Sequence, residues 1–189
     1  MLKINDFCHQ NAARNNHINI SVKLDWEILA ISLTIKTGRV AECVKNIVRS
    51  RDGLLASRTA DVIGPLANAL VDVLVDLDLF AASQCDTLDD VVSYCSGRHT
   101  DTLTFSDVTW DVGYPTTMGI EWLCAKFVGR VGQICGVVSN SDKHEIDRVD
   151  FEVYRVFLAV VTLAKCVDIN LGEAILKNTG TVQRRSWRM

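Results

Sequence analysis

The sequence predicts an all-α protein, a helical bundle, on three observations. Only two prolines, Pro65 and Pro115, and 11 glycines interrupt the 189 residues, so long stretches contain no helix breaker. Hydrophobic residues make up 48% of the chain, which is enough to bury a sizeable core. Apolar residues also recur at helical spacing in most segments. We therefore expect helices throughout, apart from one linker.

The first half of the chain predicts four helices. Apolar spacing indicates a short helix over residues 2–16 and two long helices over residues 25–49 and 58–83. Asp86-Thr87 is typical of a helix start, and a short fourth helix follows it. The second helix is expected to bury one apolar stripe. The stripe consists of Ile28, Ile31, Ile35, Val40, Cys43, Val44 and Val48.

Residues 96–118 differ from their surroundings. They are rich in Thr and Asp and contain Gly97, Gly113 and Pro115, which predicts a linker. Within this stretch, residues 103–108 form a β-like patch. The linker divides the chain into two predicted units, residues 1–95 and residues 119–189.

The second half repeats the order of the first: long helix, long helix, short capped helix. Its long helices are predicted over residues 119–138 and 145–167, and Asn170 caps a final helix over residues 171–177. The triplet Gly-Arg-Val occurs in both first long helices, at residues 38–40 and 129–131. We therefore predict an internal repeat.

Charge and cysteine content restrict the partners and the compartment. The formal net charge of −3 gives no general attraction to nucleic acid or to an anionic membrane. The seven cysteines are scattered and odd in number, which indicates free thiols in a reducing compartment. No apolar run reaches the roughly 18 residues of a membrane span. We expect a cytoplasmic protein with no membrane partner and no nucleic-acid partner.

Several short segments, residues 8–16 and 85–91 among them, carry a resemblance to a known family. Residues 35–40, 69–74, 152–157 and 168–174 read I-K-T-G-R-V, A-L-V-D-V-L, E-V-Y-R-V-F and D-I-N-L-G-E-A. They are similar to the motifs E-E-x-G-E-[LV], E-x-A-D-V-L (the second and third segments) and G-I-D-L-E-E-A of the MazG-like nucleotide pyrophosphohydrolases. The resemblance implies two degenerate MazG-like units that pack together as an intrachain pseudo-dimer. It also implies a bacteriophage origin and, in that case, the host cytoplasm.

The family cleaves nucleoside triphosphates with Mg²⁺, held by E-x-x-E on one helix and E-x-x-D on the next. An i, i+3 spacing puts both carboxylates on one helix face, where they form an oxygen-rich metal cage. In this chain each half keeps one acid and carries two cationic residues at those positions. The positions read Lys36, Arg39, Ala69 and Asp72 in the first half and Phe127, Arg130, Glu152 and Arg155 in the second.

Cationic side chains at ligand positions should repel Mg²⁺, so the resemblance favours a pseudoenzyme without a metal cofactor. Its charged residues either bridge neighbouring helices as salt bridges, with Arg39 facing Asp72 and Arg130 with Arg155 facing Glu152, or bind a phosphate group directly. The ligand-binding candidates are Lys36, Arg39, Asp72, Arg130, Glu152 and Arg155.

The expected function is to bind a protein partner or a nucleotide-like or phosphate-like ligand. One alternative is a Mg²⁺-dependent nucleoside triphosphate pyrophosphohydrolase that uses displaced acids. Another alternative is a structural subunit of a larger assembly. The displaced acids would be chosen from Glu42, Asp76, Asp78 and Glu173.

Overall fold

The computed structural model describes residues 2–17, 25–55, 59–83, 86–108, 119–139 and 146–185, and these residues form seven helices. The all-α prediction is confirmed for this part of the chain. The β-like patch at residues 103–108 is wrong, because these residues form turns with a single bridge between Thr104 and Lys3. The helices are α1 Ile4–His17, α2 Trp26–Arg51, α3 Thr59–Ala82, α4 Leu88–Ser96, α5 Ile120–Ser139, α6 Ile146–Cys166 and α7 Leu171–Arg185.

Three predicted helix starts are confirmed by their capping contacts. Asp25 accepts a hydrogen bond from the backbone N–H of Glu27 at 3.0 Å, where α2 begins. Thr87 begins α4 with a reciprocal capping box. Asn170 accepts a hydrogen bond from the backbone N–H of Glu173 at 3.2 Å. Each cap satisfies an N–H that has no partner within its helix, so it fixes the helix start. The predicted end of α7 is wrong: the helix continues to Arg185.

The long helices form a ring of four in which α2 packs on α3, α3 on α6, α6 on α5 and α5 on α2. The helices α2 and α5 run antiparallel. Thr34 contacts Cys135 at 3.2 Å, and the guanidinium of Arg51 lies 2.6 Å from the carboxylate of Glu121 at the other end. This geometry is that of an antiparallel helical bundle.

The short helices α4 and α7 exchange their main contacts between the two halves, although α4 also packs on α3 and α7 does not pack to the same extent on α6. Helix α4 packs on α6, and helix α7 packs on α3. Helix α1 has no counterpart among the described residues of the second half, and it packs on α3 and α4. Each half of the chain therefore buries its short helix against the long helix of the other half.

The core is continuous from the bundle into the segment that was predicted to be a linker. Phe105 is buried, with its ring centroid 5.8 Å from that of Phe7 and 6.2 Å from that of Phe157. The main chain of Leu103 also accepts a hydrogen bond from Ile4. The described part of the segment, residues 96–108, is thus tied to α1 and α6; residues 109–118 lie outside the described residues.

The predicted apolar stripe of α2 is wrong in its first half. Ile28, Ile31 and Ile35 are about three-fifths exposed, at 60%, 61% and 59%. The opposite side, with Leu29 and Leu33, is buried instead. The N-terminal half of α2 carries apolar stripes on both sides, and helical spacing alone does not identify the one that faces the core. The C-terminal half is buried as predicted through Val40 and Val44, and Cys43 and Val48 are partly buried.

No helix in the described ranges has an apolar stretch long enough to cross a bilayer. The six cysteines that the structure describes are all free thiols, as the sequence predicts. Cys85 lies outside the described residues. Burial raises the pKa of the thiols of Cys8 and Cys124, which favours the neutral form of both.

Candidate functional site

The six predicted ligand-binding residues lie in two separate clefts of the bundle. Lys36 and Arg39 lie on α2, and Asp72 lies on the adjacent helix α3. Arg130 lies on α5, and Glu152 and Arg155 lie on its neighbour α6. The first three residues therefore belong to the α2–α3 cleft. The others belong to the α5–α6 cleft.

In the α2–α3 cleft, the ammonium group of Lys36 forms an ion pair with the buried carboxylate of Asp76. It also donates a hydrogen bond to the main-chain oxygen of Asp72 at 3.3 Å. Ser32 donates a second hydrogen bond to Asp76 at 2.7 Å. The predicted pair of Arg39 with the Asp72 carboxylate is wrong: Arg39 is exposed, and the ion pairs of the described residues do not include it.

The acid that binds the cation therefore lies one helical turn beyond the position predicted from the family motif. Asp72 and Asp76 are four residues apart, so both lie on the side of α3 that faces α2. Motif alignment selects Asp72 and gives no weight to Asp76. The signal that identifies Asp76 is its place in the apolar run of α3, where an ionised carboxylate needs a cationic partner.

In the α5–α6 cleft, two arginines surround the carboxylate of Glu152, as predicted. Arg155 donates a hydrogen bond to Oε1 of Glu152 at 3.0 Å, and Arg130 reaches across from α5 to within 3.9 Å of Oε2. The guanidinium of Arg155 lies 4.0 Å from the ring centroid of Phe151, which is 46% exposed. Arg130 also donates to Gln133 at 2.8 Å. Two cations and one anion give the cleft a net positive charge.

Glu152 has one carboxylate oxygen without a hydrogen bond. The residue is 7% exposed, and its Oε2 accepts no hydrogen bond from the residues that the structure describes. A buried carboxylate oxygen is stabilised when a donor faces it, and Arg130 at 3.9 Å lies beyond hydrogen-bonding distance. Glu152 is therefore a buried acceptor with one oxygen lacking a hydrogen bond, beside two partly exposed guanidinium groups.

A third buried carboxylate, that of Asp78, accepts hydrogen bonds that join neighbouring helices. It accepts hydrogen bonds from the side chain of Asn11 at 2.6 Å and from the backbone N–H of Leu88 at 3.2 Å. Burial raises the pKa of Asp78, and the hydrogen bonds from Asn11 and Leu88 oppose this shift. Asp78 thus joins α3 to α1 and to the start of α4.

The acids proposed for a displaced metal site have separate partners. Asp76 binds Lys36, and Asp78 binds Asn11 and Leu88. Glu42 pairs with Lys45 on the exposed side of α2, and Glu173 lies near Asn170 and Lys177 on α7. In the part of the chain that the structure describes, no three His, Cys, Asp or Glu side chains are grouped to hold a metal ion.

A cavity of about 300 Å³ lies away from both clefts, between the 96–108 segment and the start of α7. Phe105, Val161 and Leu171 contribute apolar walls, and Lys165 lies at its edge. The Lys165 ammonium donates to the main-chain oxygens of Ser106 and Val108. Burial lowers the pKa of Lys165. Sequence reasoning did not predict this cavity, and its lysine already holds the 96–108 segment against α6.

Comparison with known proteins finds no relative of this chain. The similarity to MazG-like motifs therefore stays a prediction from short segments of the sequence. The clefts, their ion pairs and the exchange pattern of the helices are observations on this chain alone. No family model matches the chain, and neither a curated protein nor a solved structure matches it.

Proposed function

We propose that this protein is a non-catalytic, MazG-like helical protein that acts by binding. Two degenerate units, one from each half of the chain, pack together in the manner of a dimer. The exchange pattern of the helices supports this proposal: α4 lies on α6 and α7 on α3. An isologous pair of units has contacts of this kind, in which each unit presents the same surface to the other.

One observation carries the non-catalytic part of the proposal: cationic side chains occupy both clefts. The ammonium of Lys36 contacts Asp76, and the guanidinium groups of Arg130 and Arg155 lie at Glu152. A divalent ion placed about 4 Å from one of these charges meets a repulsion of roughly 4 kcal/mol per unit charge at an effective dielectric of 20. Metal-assisted attack on a phosphate is therefore disfavoured at these positions.

The binding site that we propose is the α5–α6 cleft, and its ligand class is a phosphate-like anion. The side chains of Arg130 and Arg155 are 25% and 35% exposed, so both present N–H donors to solvent. Planar guanidinium groups bind phosphate oxygens with two parallel hydrogen bonds. The phosphate groups of a nucleotide are ligands of this kind.

Calorimetric titration with inorganic pyrophosphate and with nucleoside triphosphates, without Mg²⁺, tests this proposal. We expect binding to the wild type, and a loss of about tenfold in affinity for Arg155→Gln. Arg49→Gln is the matched control, because Arg49 is an exposed arginine in the last turn of α2, a helix that contributes none of the named residues of the cleft. Equal affinities for Arg155→Gln and the wild type would contradict the proposed site.

The enzymatic alternative makes a different prediction in the same samples. A pyrophosphohydrolase with displaced acids releases pyrophosphate from a nucleoside triphosphate only when Mg²⁺ is present. Its activity should fall when Asp76→Asn or Glu152→Gln removes a buried carboxylate. Detection of such release, dependent on both Mg²⁺ and these acids, would replace the binding proposal with an enzymatic one.

The alternative of a structural subunit rests on a different observation. Ile28, Ile31 and Ile35 form an exposed apolar stripe on α2. Apolar surface of this kind on a helix favours contact with another protein.

A further inference from the structure

The outer side of α2 carries a continuous apolar stripe. Ile28, Ile31 and Ile35, named here the isoleucine stripe, lie at spacings of three and four residues and are each about 60% exposed. Leu33, on the opposite side of the helix, is fully buried in the core. An apolar stripe with this period is the pattern of a helix that packs against another helix on its outer side.

Two of the three stripe residues, Ile31 and Ile35, lie two residues to either side of Leu33 in sequence. In an antiparallel pair of α2 helices centred on Leu33, Ile31 of one copy lies at the level of Ile35 of the other. Ile28 then lies at the level of Gly38, which is exposed and has no atom within 4 Å of a Cβ built on it. A large residue therefore meets a small one at each end of the stripe. Such self-complementarity is what an isologous two-fold interface requires.

The charges that border the stripe have the same symmetry. Glu27 and Arg39 each lie six residues from Leu33, about 9 Å along the helix. Both are exposed, and neither takes part in an ion pair with another described residue. Antiparallel pairing places Glu27 of one copy at the level of Arg39 of the other, at both ends. Parallel pairing would place like charges at the same level.

The neighbouring helix α5 leaves this side of the molecule accessible. Thr34, beside the stripe, contacts Cys135 on α5. Gly136 follows Cys135, Gly132 lies three residues before it, and both have open space where a Cβ would lie. Because no side chain projects from these glycines, a second helix can approach the stripe closely from the side of α5.

We propose that the isoleucine stripe binds a second copy of this chain, with the two α2 helices antiparallel. This proposal does not depend on the anion site, which lies on α5 and α6. A single helix pair is at the low end of interface size, so the dissociation constant is expected to be roughly micromolar. The dimer would assemble two bundles, each with its own α5–α6 cleft.

Sedimentation of the full chain from about 1 to 200 µM tests the proposal across the expected dissociation constant. We expect a reversible monomer–dimer equilibrium in the wild type. Ile31→Glu should weaken the dimer roughly 100-fold or more, because it places a carboxylate in each half of the interface. Leu176→Glu is the control, since Leu176 is an exposed apolar residue on α7 and should leave the equilibrium unchanged. Helix content by circular dichroism verifies that each variant folds.

Charge reversal tests the antiparallel register. Glu27→Arg and Arg39→Glu should each weaken the dimer about tenfold, through two unfavourable pairs per dimer. The two substitutions together should restore the dimer to within about threefold of the wild type. A wild type that stays monomeric at the highest concentration would overturn the proposal. So would equal effects of Ile31→Glu and Leu176→Glu, or a double reversal that is weaker than either single one.

Discussion

Removing the Lys36 ammonium should lower the free energy of unfolding, because the buried carboxylate of Asp76 then lacks its cationic partner. Lys36→Met retains most of the apolar stem, and it leaves Asp76 with the hydroxyl of Ser32 at 2.7 Å as its described hydrogen-bond donor. The side chain of Asp76 is 5% exposed. Breaking a fully buried ion pair costs about 3–5 kcal/mol. Because the Lys36 side chain is 22% exposed, we expect a smaller loss of about 2–3 kcal/mol in the free energy of unfolding.

A double-mutant cycle separates the ion pair from packing. Asp76→Asn together with Lys36→Met removes both charges, and the double variant should lie within about 1 kcal/mol of the wild type. Lys45→Met is the matched control, because Lys45 pairs with Glu42 on the surface, where both side chains are more than half exposed. That change should cost less than about 0.5 kcal/mol. Urea unfolding measures the wild type, both single variants, the double variant and the Lys45→Met control. If Lys36→Met is as stable as Lys45→Met, the account of the α2–α3 cleft is refuted.

Two further predictions concern the core and the acid range. Phe105→Ala should lower the free energy of unfolding by about 3 kcal/mol, because it removes a buried ring between Phe7 and Phe157; a loss below about 1 kcal/mol in urea unfolding would show that the 96–108 segment is not part of the core. Burial raises the pKa of Asp78, so this carboxyl binds its proton more tightly in the folded state than in the unfolded state. The free energy of unfolding should therefore rise as the pH falls from the raised pKa toward the ordinary value of about 3.9. Asp78→Asn should remove this contribution, and an unchanged pH dependence of stability would contradict it.

Local signals in the sequence predicted the helices well. Each capping hydrogen bond joins residues that are at most three positions apart, as at Asp25, Thr87 and Asn170. A cap can therefore be identified from the sequence without knowledge of the fold. The pairing of Arg130 with Glu152 was also predicted, because the resemblance placed both residues in one inter-helix cleft.

The remaining features depend on tertiary contacts. The isoleucine stripe and the Leu33 side of α2 have similar apolar spacing, and only the positions of α3 and α5 decide which side is buried. Asp76 was not predicted as the partner of Lys36, because the choice between two acids one turn apart depends on how α2 sits along α3. Phe105 lies in a polar stretch without periodicity, so its burial against α1 and α6 has no local signal.

The central claim is that side-chain cations occupy the positions where a divalent ion would bind. The most direct test is thermal unfolding of the wild type as Mg²⁺ is raised to about 10 mM at constant ionic strength. An ion bound to the native state with a dissociation constant of about 0.1 mM would add roughly 2.7 kcal/mol of stability at that concentration. We expect no saturable rise in the unfolding midpoint. A saturable rise that disappears in Asp76→Asn or Glu152→Gln would contradict the account.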